Sequence, residues 1–237
     1  MKRIISLKTI TAAVLFFFSG HTLAQDNFTI KMTLKIDGMP PELAAASEMD
    51  ILTYIKGDKL RTERNGMMGS TISVYDGKKM ITLNDMMGNK SGFTATKAEL
   101  EATDKDEKPE KPKIEYTTEK KTIAGYECTK VIVTYTGKDK KETKMTLWVT
   151  DKIKYSHPEA QKGSGRGMTD LSDLKGYPLS MEMSQNIMGA DTKMTITATE
   201  INTAPIDESV FVLNTDGFTM VSYKEAQEQQ KAMMKGR

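Results

Sequence analysis

The chain has 237 residues, of which 34 are Lys or Arg and 32 are Asp or Glu, with 2 histidines and 1 cysteine. A net charge this close to zero provides no field that would attract nucleic acid, so nucleic-acid binding is not expected. One cysteine cannot form an intramolecular disulfide, and so few His and Cys side chains argue against a tetrahedral zinc site.

The first 24 residues have the composition of a cleavable signal peptide. Lys2, Arg3 and Lys8 precede an apolar segment at residues 10–18, and a cut after Ala24 would leave small residues at the −3 and −1 positions. The apolar run is about half of the roughly 18 residues that a membrane span requires, and no later run is long enough. We therefore expect a soluble periplasmic or secreted protein, without a membrane span and without a cysteine for a lipid anchor.

Beyond this leader, apolar and polar residues alternate with period two, which predicts β-strands with one buried face. In the first strand, residues 28–36, the alternation places Phe28, Ile30, Met32 and Leu34 on one face. The same pattern predicts further strands at residues 51–64, with a kink or turn at Gly57-Asp58, and at residues 121–136, 144–150, 179–184, 193–201 and 209–213.

Residues 71–84 predict a β-hairpin around a two-residue turn at Asp76-Gly77, because both turn positions tolerate positive φ. This turn would pair Val74 with Lys79. It would also place the apolar residues of the hairpin on one face, namely Ile72, Val74, Ile81 and Leu83.

Helices are predicted to be few and short. One follows Pro40, and a second, at residues 223–235, is indicated by the capping box formed by Ser222 and Glu225. The charged segment 97–113, which contains two prolines, predicts a solvated loop within a single domain spanning residues 25–237.

Catalytic chemistry has little support in the sequence. Only His157 remains once the leader is removed, and it lies beside Pro158 with no nucleophile motif nearby, so we expect a surface loop residue. We predict no catalytic residues, no cofactor and no enzymatic activity.

Methionine is unusually frequent, with 18 residues in the chain. Thioether clusters suit the soft Cu(I) ion, whereas flexible methionines also line adaptable apolar surfaces. Met181 and Met183 would share one strand face, as would Met194 and Ile196, which favours an apolar wall. The pairs Met67-Met68 and Met86-Met87 would then lie at strand ends, as a mouth or lid. A metal site at Met181 and Met183 remains the alternative.

Four segments in the second half resemble a known family. They are residues 123–130 (IAGYECTK), 147–151 (LWVTD), 176–179 (GYPL) and 206–211 (IDESVF), the last followed by Gly217-Phe218. In this order and spacing they resemble the domain of unknown function 4412 family, which is similar in architecture to the LolA/LppX-type carriers of lipoproteins and lipids. The resemblance implies a mainly β (α+β) fold, an unclosed antiparallel β half-barrel with short covering helices and a C-terminal helix. In the carriers, the concave face accommodates acyl chains.

The sequence and the resemblance together predict an exported, non-enzymatic envelope protein that binds a lipid, an acyl chain or another apolar ligand. The alternatives are a methionine-based copper-binding protein and a structural or stress adaptor of the envelope, whose protein partner the sequence does not identify. Because strand faces alternate, Leu147 and Trp148 cannot both face the ligand. The candidate lining residues are Phe28, Ile30, Met32, Leu34, Leu147, Trp148, Met181, Met183, Met194 and Ile196.

Overall fold

The computed structural model describes residues 27–102, 111–136, 142–154, 171, 173–187 and 189–235. The predicted signal peptide, residues 103–110 of the charged segment and His157 lie outside the described residues. The assignment of residues 25–237 to one domain stays a prediction.

Within the described residues, twelve strands form one sheet, in the order β12-β6-β5-β4-β3-β2-β1-β11-β10-β9-β8-β7. Neighbours are antiparallel, except that β12 runs parallel to β6. The edge strands β7 and β12 do not pair with each other in this part of the chain, so the sheet is unclosed. The predicted half-barrel fold is confirmed. The strands are β1 (Asn27–Asp37), β2 (Met49–Lys56), β3 (Lys59–Gly66), β4 (Gly69–Tyr75), β5 (Lys79–Met86), β6 (Asn89–Thr96), β7 (Lys113–Ile123), β8 (Tyr126–Thr136), β9 (Glu142–Thr150), β10 (Tyr177–Ile187), β11 (Ala190–Asn202) and β12 (Thr219–Ser222).

The helices are α1 (Pro41–Ser47), α2 (Lys97–Ala102), α3 (Tyr223–Lys235) and a 3-10 helix (Glu208–Phe211). The C-terminal helix α3 begins at the predicted capping box. The backbone N–H and hydroxyl of Ser222 donate to the Glu225 carboxylate over 2.8 and 2.7 Å, and the Glu225 N–H donates back to the Ser222 hydroxyl over 3.2 Å. These bonds satisfy backbone donors that a helix start otherwise leaves without partners.

Helix α2 corrects the prediction that the whole segment 97–113 is a solvated loop. Its first residues form a helix because Thr96 and Glu99 make a second capping box, in which the Thr96 N–H donates to the Glu99 carboxylate over 2.8 Å. Leu100 anchors this helix in the core with no exposed surface. The Thr-x-x-Glu motif was the available signal, and the surrounding charges obscured it.

The predicted hairpin at residues 71–84 forms, but its register differs by two residues from the prediction. Val74 pairs with Ile81 instead of Lys79. The Asp76 carboxylate accepts hydrogen bonds from the N–H groups of Lys78 and Lys79, each over 2.9 Å, so Asp76 precedes the turn and Gly77-Lys78 form it. A shift of two residues preserves the faces, and the predicted apolar set therefore still shares one face.

Two other predicted strands are corrected. Residues 121–136 include the end of β7 and all of β8, which are joined at Ala124-Gly125, where φ is 47° and 85°. Both positive values fit a tight hairpin turn, which the sequence concealed because Ala124 is an uncommon residue there. Residues 209–213 include most of the 3-10 helix, whose start is capped by the Asp207 carboxylate accepting from the Ser209 N–H over 2.8 Å.

The main core lies at one end of the sheet. We call the face of β1 that carries Phe28 and Ile30, continued through its paired neighbours, the inner face. The hydroxyl of Tyr177 on β10 is hydrogen-bonded to Thr53 on the inner face of β2. Two strands, β1 and β11, lie between β2 and β10. In a flat sheet, β2 and β10 would therefore be about 14 Å apart. The sheet is therefore strongly curled here. The core includes Phe28, Ile30, Ile55, Leu60, Tyr75, Met80, Ala95, Leu100, Cys128, Tyr177, Leu179 and Tyr223.

The segment 203–213, which we call the outer strap, crosses the opposite (outer) face of β2–β4. Its apolar residues Ile206 and Phe211 pack with Val74. The Arg61 guanidinium donates to the Val210 carbonyl over 2.7 Å, which fixes the strap on β3. The chain then reaches β12 at the sheet edge, and Tyr223 returns to the inner core, where its ring packs against Phe93.

Candidate ligand-binding face

An apolar surface occupies the inner face of β1, β10 and β11. Strand pairing places Leu34 opposite Ile196, and Ile196 opposite Met181. In the next row toward the strand ends, Met183 lies opposite Met194. All of these side chains are half-buried, so each retains apolar surface that a ligand could cover. We call this surface the apolar wall: Met32, Leu34, Met181, Met183, Met194 and Ile196.

The other four candidate lining residues lie elsewhere. Phe28 and Ile30 are buried in the main core and leave no surface for a ligand. Leu147 pairs with Met181 but is fully buried in a second cluster, against which Leu171 and Leu174 pack. Trp148 pairs with Ser180 on the opposite face and packs against the main core. Alternation thus separates Leu147 from Trp148, and neither extends the apolar wall.

Beyond the core, the inner face of β3–β6, together with Thr53 of β2, is mostly polar, which the sequence analysis missed. Thr53, Thr62, Ser73 and Thr82 lie opposite one another along one row, and the Ser73 and Thr82 hydroxyls are 3.0 Å apart. The missed signal was the polar residues at the alternate, inward-facing positions of these strands. We call this surface the polar wall: Thr53, Thr62, Arg64, Thr71, Ser73, Thr82, Asn84 and Ser91.

Arg64 is the one charged side chain that strand pairing places on the inner face of β1–β6, β10 and β11, within the described residues. It lies between Ile51 on β2 and Thr71 on β4. The Thr71 hydroxyl in turn donates to the Asn84 side-chain carbonyl over 3.0 Å. Burial lowers the pKa of the half-buried Arg64 guanidinium below its ordinary value, because a charge loses hydration there.

Four exposed methionines lie at the opposite end of the sheet from the main core. Met67 and Met68 form the β3–β4 turn, and Met86 and Met87 lie at the β5–β6 turn. Their exposed fractions are 77%, 62%, 47% and 88%. We call these four residues the methionine rim. It lies at the same end as the last residues of β1, toward which the apolar wall extends.

The sequence analysis leaves a soft-metal site at Met181 and Met183 as the alternative to an apolar wall. They lie on one face, and Met194 is directly opposite Met183. The Tyr135 hydroxyl donates a hydrogen bond to Sδ of Met183 over 3.2 Å, so this sulfur already has a polar partner. Within the described residues, no group of three His, Cys, Asp or Glu side chains is arranged to hold a metal ion. Soft-metal binding by the methionines stays a prediction.

Residues 28–217 match a family model described as "Domain of unknown function (DUF4412)". The chain belongs to this family. The resemblance carried by the four sequence segments is thereby confirmed, and the match includes the apolar and polar walls. Comparison with curated proteins gave no match. No helix among the residues that the structure describes is long and apolar enough to cross a membrane.

Several solved structures are similar to this DUF4412 chain at low identity. PNGF-II is 13% identical, with a TM-score of 0.49 over 86% of this chain and 33% of its own, so the chain spans about a third of that protein. An uncharacterised conserved protein from Thermus thermophilus is 9% identical, with a TM-score of 0.46 over 84% of this chain and 91% of its own. The lipoprotein LppX of Mycobacterium tuberculosis is 10% identical, with a TM-score of 0.35 over 76% and 88%.

Proposed function

We propose that this protein is an exported, non-enzymatic binding protein that holds a lipid, an acyl chain or another apolar ligand on the apolar wall. The observation that carries the proposal is the set of six half-buried apolar side chains that adjoin one another on β1, β10 and β11. Export is supported by the signal-peptide pattern, and the absence of catalysis by the scarcity of histidine in the sequence.

The apolar wall has the physical properties that such a ligand requires. Covering the apolar surface that these half-buried side chains retain is favourable by about 25 cal/mol for each Å² removed from water. Four of the six side chains are methionines, whose unbranched thioethers adapt to ligands of differing shape. The wall lies beside the main core, so its strands are held in place by buried residues such as Leu179 and Ala198.

The proposal is tested by native mass spectrometry of gently extracted protein and by titration with a fluorescent fatty acid. The wall variant M181Q/M183Q places two polar amides on the apolar wall at nearly unchanged volume. Its matched control, M67Q/M68Q, makes the same substitutions in the methionine rim.

We expect a co-purifying lipid in the wild-type protein and at least about tenfold weaker fatty-acid binding in the wall variant, because side chains of this kind contribute about 1.5–3 kcal/mol when buried. The control should bind like the wild type. The proposal fails if no lipid co-purifies and the probe does not bind, or if the wall variant binds as tightly as the control.

A further inference from the structure

Within the described residues, Arg64 is the one charged side chain that strand pairing places on the inner face of β1–β6, β10 and β11. It lies close to where the apolar wall meets the polar wall. Arg64 pairs with Ile51, Ile51 pairs with Met32 of the apolar wall, and the three lie in one row across β3, β2 and β1. Neighbouring strands are about 4.8 Å apart, so the guanidinium is anchored only two strands from the wall.

The next row toward the rim brings apolar surface still closer to Arg64. Gly66 follows Arg64 on the same face and pairs with Met49, which pairs in turn with Leu34 of the apolar wall. The Met49 side chain extends over Gly66, since a Cβ at Gly66 would lie 3.7 Å from Cε of Met49. An apolar surface therefore runs without interruption from the wall to the residue beside Arg64.

Arg64 has at least one interaction within the protein, and its guanidinium is half-buried on the inner face. A partly buried charge gains from an opposite charge and from hydrogen bonds that replace its lost hydration. A guanidinium has five N–H donors in a planar fork, so it can bind a ligand in addition to its contacts within the protein.

We propose that Arg64 binds the anionic head group of an amphiphilic ligand, a carboxylate or a phosphate, while the acyl chain of that ligand lies on the apolar wall. The proposal rests on the proposed function and narrows it from apolar ligands in general to anionic amphiphiles. Thr71 and Asn84, beside Arg64 in the same row, provide a polar surround for the head group, and Ile51 and Met49 continue the apolar path from the wall.

The test uses three probes that share a sixteen-carbon chain and differ in head group: palmitate, hexadecyl phosphate and the uncharged hexadecanol. Each displaces an uncharged fluorescent apolar dye from the full mature protein. The variants are R64Q and R64K. The control K35Q removes the same charge from an exposed lysine on the outer face of β1.

In the wild-type protein, at least one anionic probe should bind about tenfold more tightly than hexadecanol, since hydrogen bonds between two charged groups are the strong ones in proteins. R64Q should remove this preference and leave hexadecanol binding within about twofold, which also shows that the variant is folded. R64K should retain part of the preference for the anionic probe, and K35Q should not change this preference. The anionic probe with the larger loss in R64Q identifies the head group as carboxylate or phosphate.

The outcomes separate this proposal from the proposed function. If hexadecanol binds but neither anion is preferred by the wild type, the Arg64 proposal is overturned and the apolar-ligand function stands. Equal loss of all three probes in a folded R64Q, or an unchanged anion preference, also overturns it. If none of the three probes binds the wild-type protein, both proposals fail.

Discussion

The Tyr135 hydroxyl donates a hydrogen bond to Sδ of Met183 over 3.2 Å, which links β8 to the apolar wall across β9. This contact gives Met183 a structural role that does not require a metal. The double variant M181L/M183L separates the two interpretations of the methionines, because leucine preserves the apolar volume and removes both sulfurs.

We expect M181L/M183L to bind the fluorescent fatty acid within about twofold of the wild type, since exchanges between Leu and Met that conserve volume have small effects. Any Cu(I) affinity, measured by competition with a chromogenic chelator, should be unchanged by the substitutions. Loss of Cu(I) binding in this variant, with retention in M67L/M68L, would instead support the soft-metal hypothesis at the wall.

The hydrogen bond between Tyr177 and Thr53 predicts a coupled effect on stability. Thr53→Val conserves shape and removes this bond between β10 and β2, so we expect the free energy of unfolding to fall by about 1 kcal/mol. Urea denaturation at pH 7 measures the loss. In a double-mutant cycle with Tyr177→Phe, the two effects should not add, because each variant breaks the same bond. Additive effects would show that the two side chains do not interact.

Tyr177 also predicts a loss of stability in alkali. Burial raises the pKa of Tyr177 from 10.0 to about 12, partly offset by the hydrogen bond with Thr53. Because the folded pKa lies above the unfolded one, this contribution is complete below pH 10 and disappears as the pH rises toward 12. The loss should reach about 2–3 kcal/mol relative to Tyr177→Phe, which cannot ionise. Parallel stability curves for the two proteins between pH 9 and 12 would contradict the prediction.

The outer strap should depend on its apolar contacts more than on its ion pairs. Phe211 is buried against β2–β4, and Phe211→Ala is expected to cost about 3–5 kcal/mol through lost burial and the cavity that remains. The exposed Glu208 carboxylate lies 2.8 Å from Lys56 and 2.6 Å from Lys59. Glu208→Gln should destabilise far less, because solvent screens exposed ion pairs. Equal losses of stability in chemical denaturation would refute this ranking.

Glu208 also gives the strap a predictable pH dependence. Hydrogen bonds from Lys56 and Lys59 lower the pKa of Glu208 below its ordinary value of 4.5. A depressed folded pKa means that the contribution is present above about pH 4.5 and is lost as the pH falls further. Glu208→Gln should therefore match the wild type more closely at pH 3 than at pH 7. A difference that grows on acidification would contradict the assigned ion pairs.

Local patterns in the sequence predicted those parts of the fold that local interactions determine. Alternation located β1, and the Ser222–Glu225 capping box located α3 because the box is made by residues three positions apart. The hairpin register was missed by two residues because the Asp76 side chain captures the N–H groups of Lys78 and Lys79. Turn preferences of single residues do not include these side-chain hydrogen bonds, so they do not predict the observed turn.

The candidate site was only partly predictable, because periodicity assigns a residue to a face but does not show which end of the sheet is filled. Phe28 and Met32 share one face of β1, yet the first is buried in the core and the second contributes to the apolar wall. Arg64, between Glu63 and Asn65, has the sequence context of a surface residue. Its position on the inner face becomes evident only from its pairing with Ile51 and Thr71.

The methionines provide a final test of the fold and the ligand together, because their oxidation by dilute peroxide follows exposure. Peptide mass spectrometry should show Met87 and Met67 oxidised first and the buried Met80 last, with the wall residues Met181 and Met183 between them. Addition of palmitate should slow oxidation at Met181 and Met183 without changing Met87, because the proposed function places the ligand on the apolar wall alone. In urea, the methionines should all be oxidised at similar rates, because unfolding exposes them equally. Oxidation of Met80 as fast as Met87 in the native protein would contradict the fold, whereas equal protection of the rim and the wall would contradict binding at the wall.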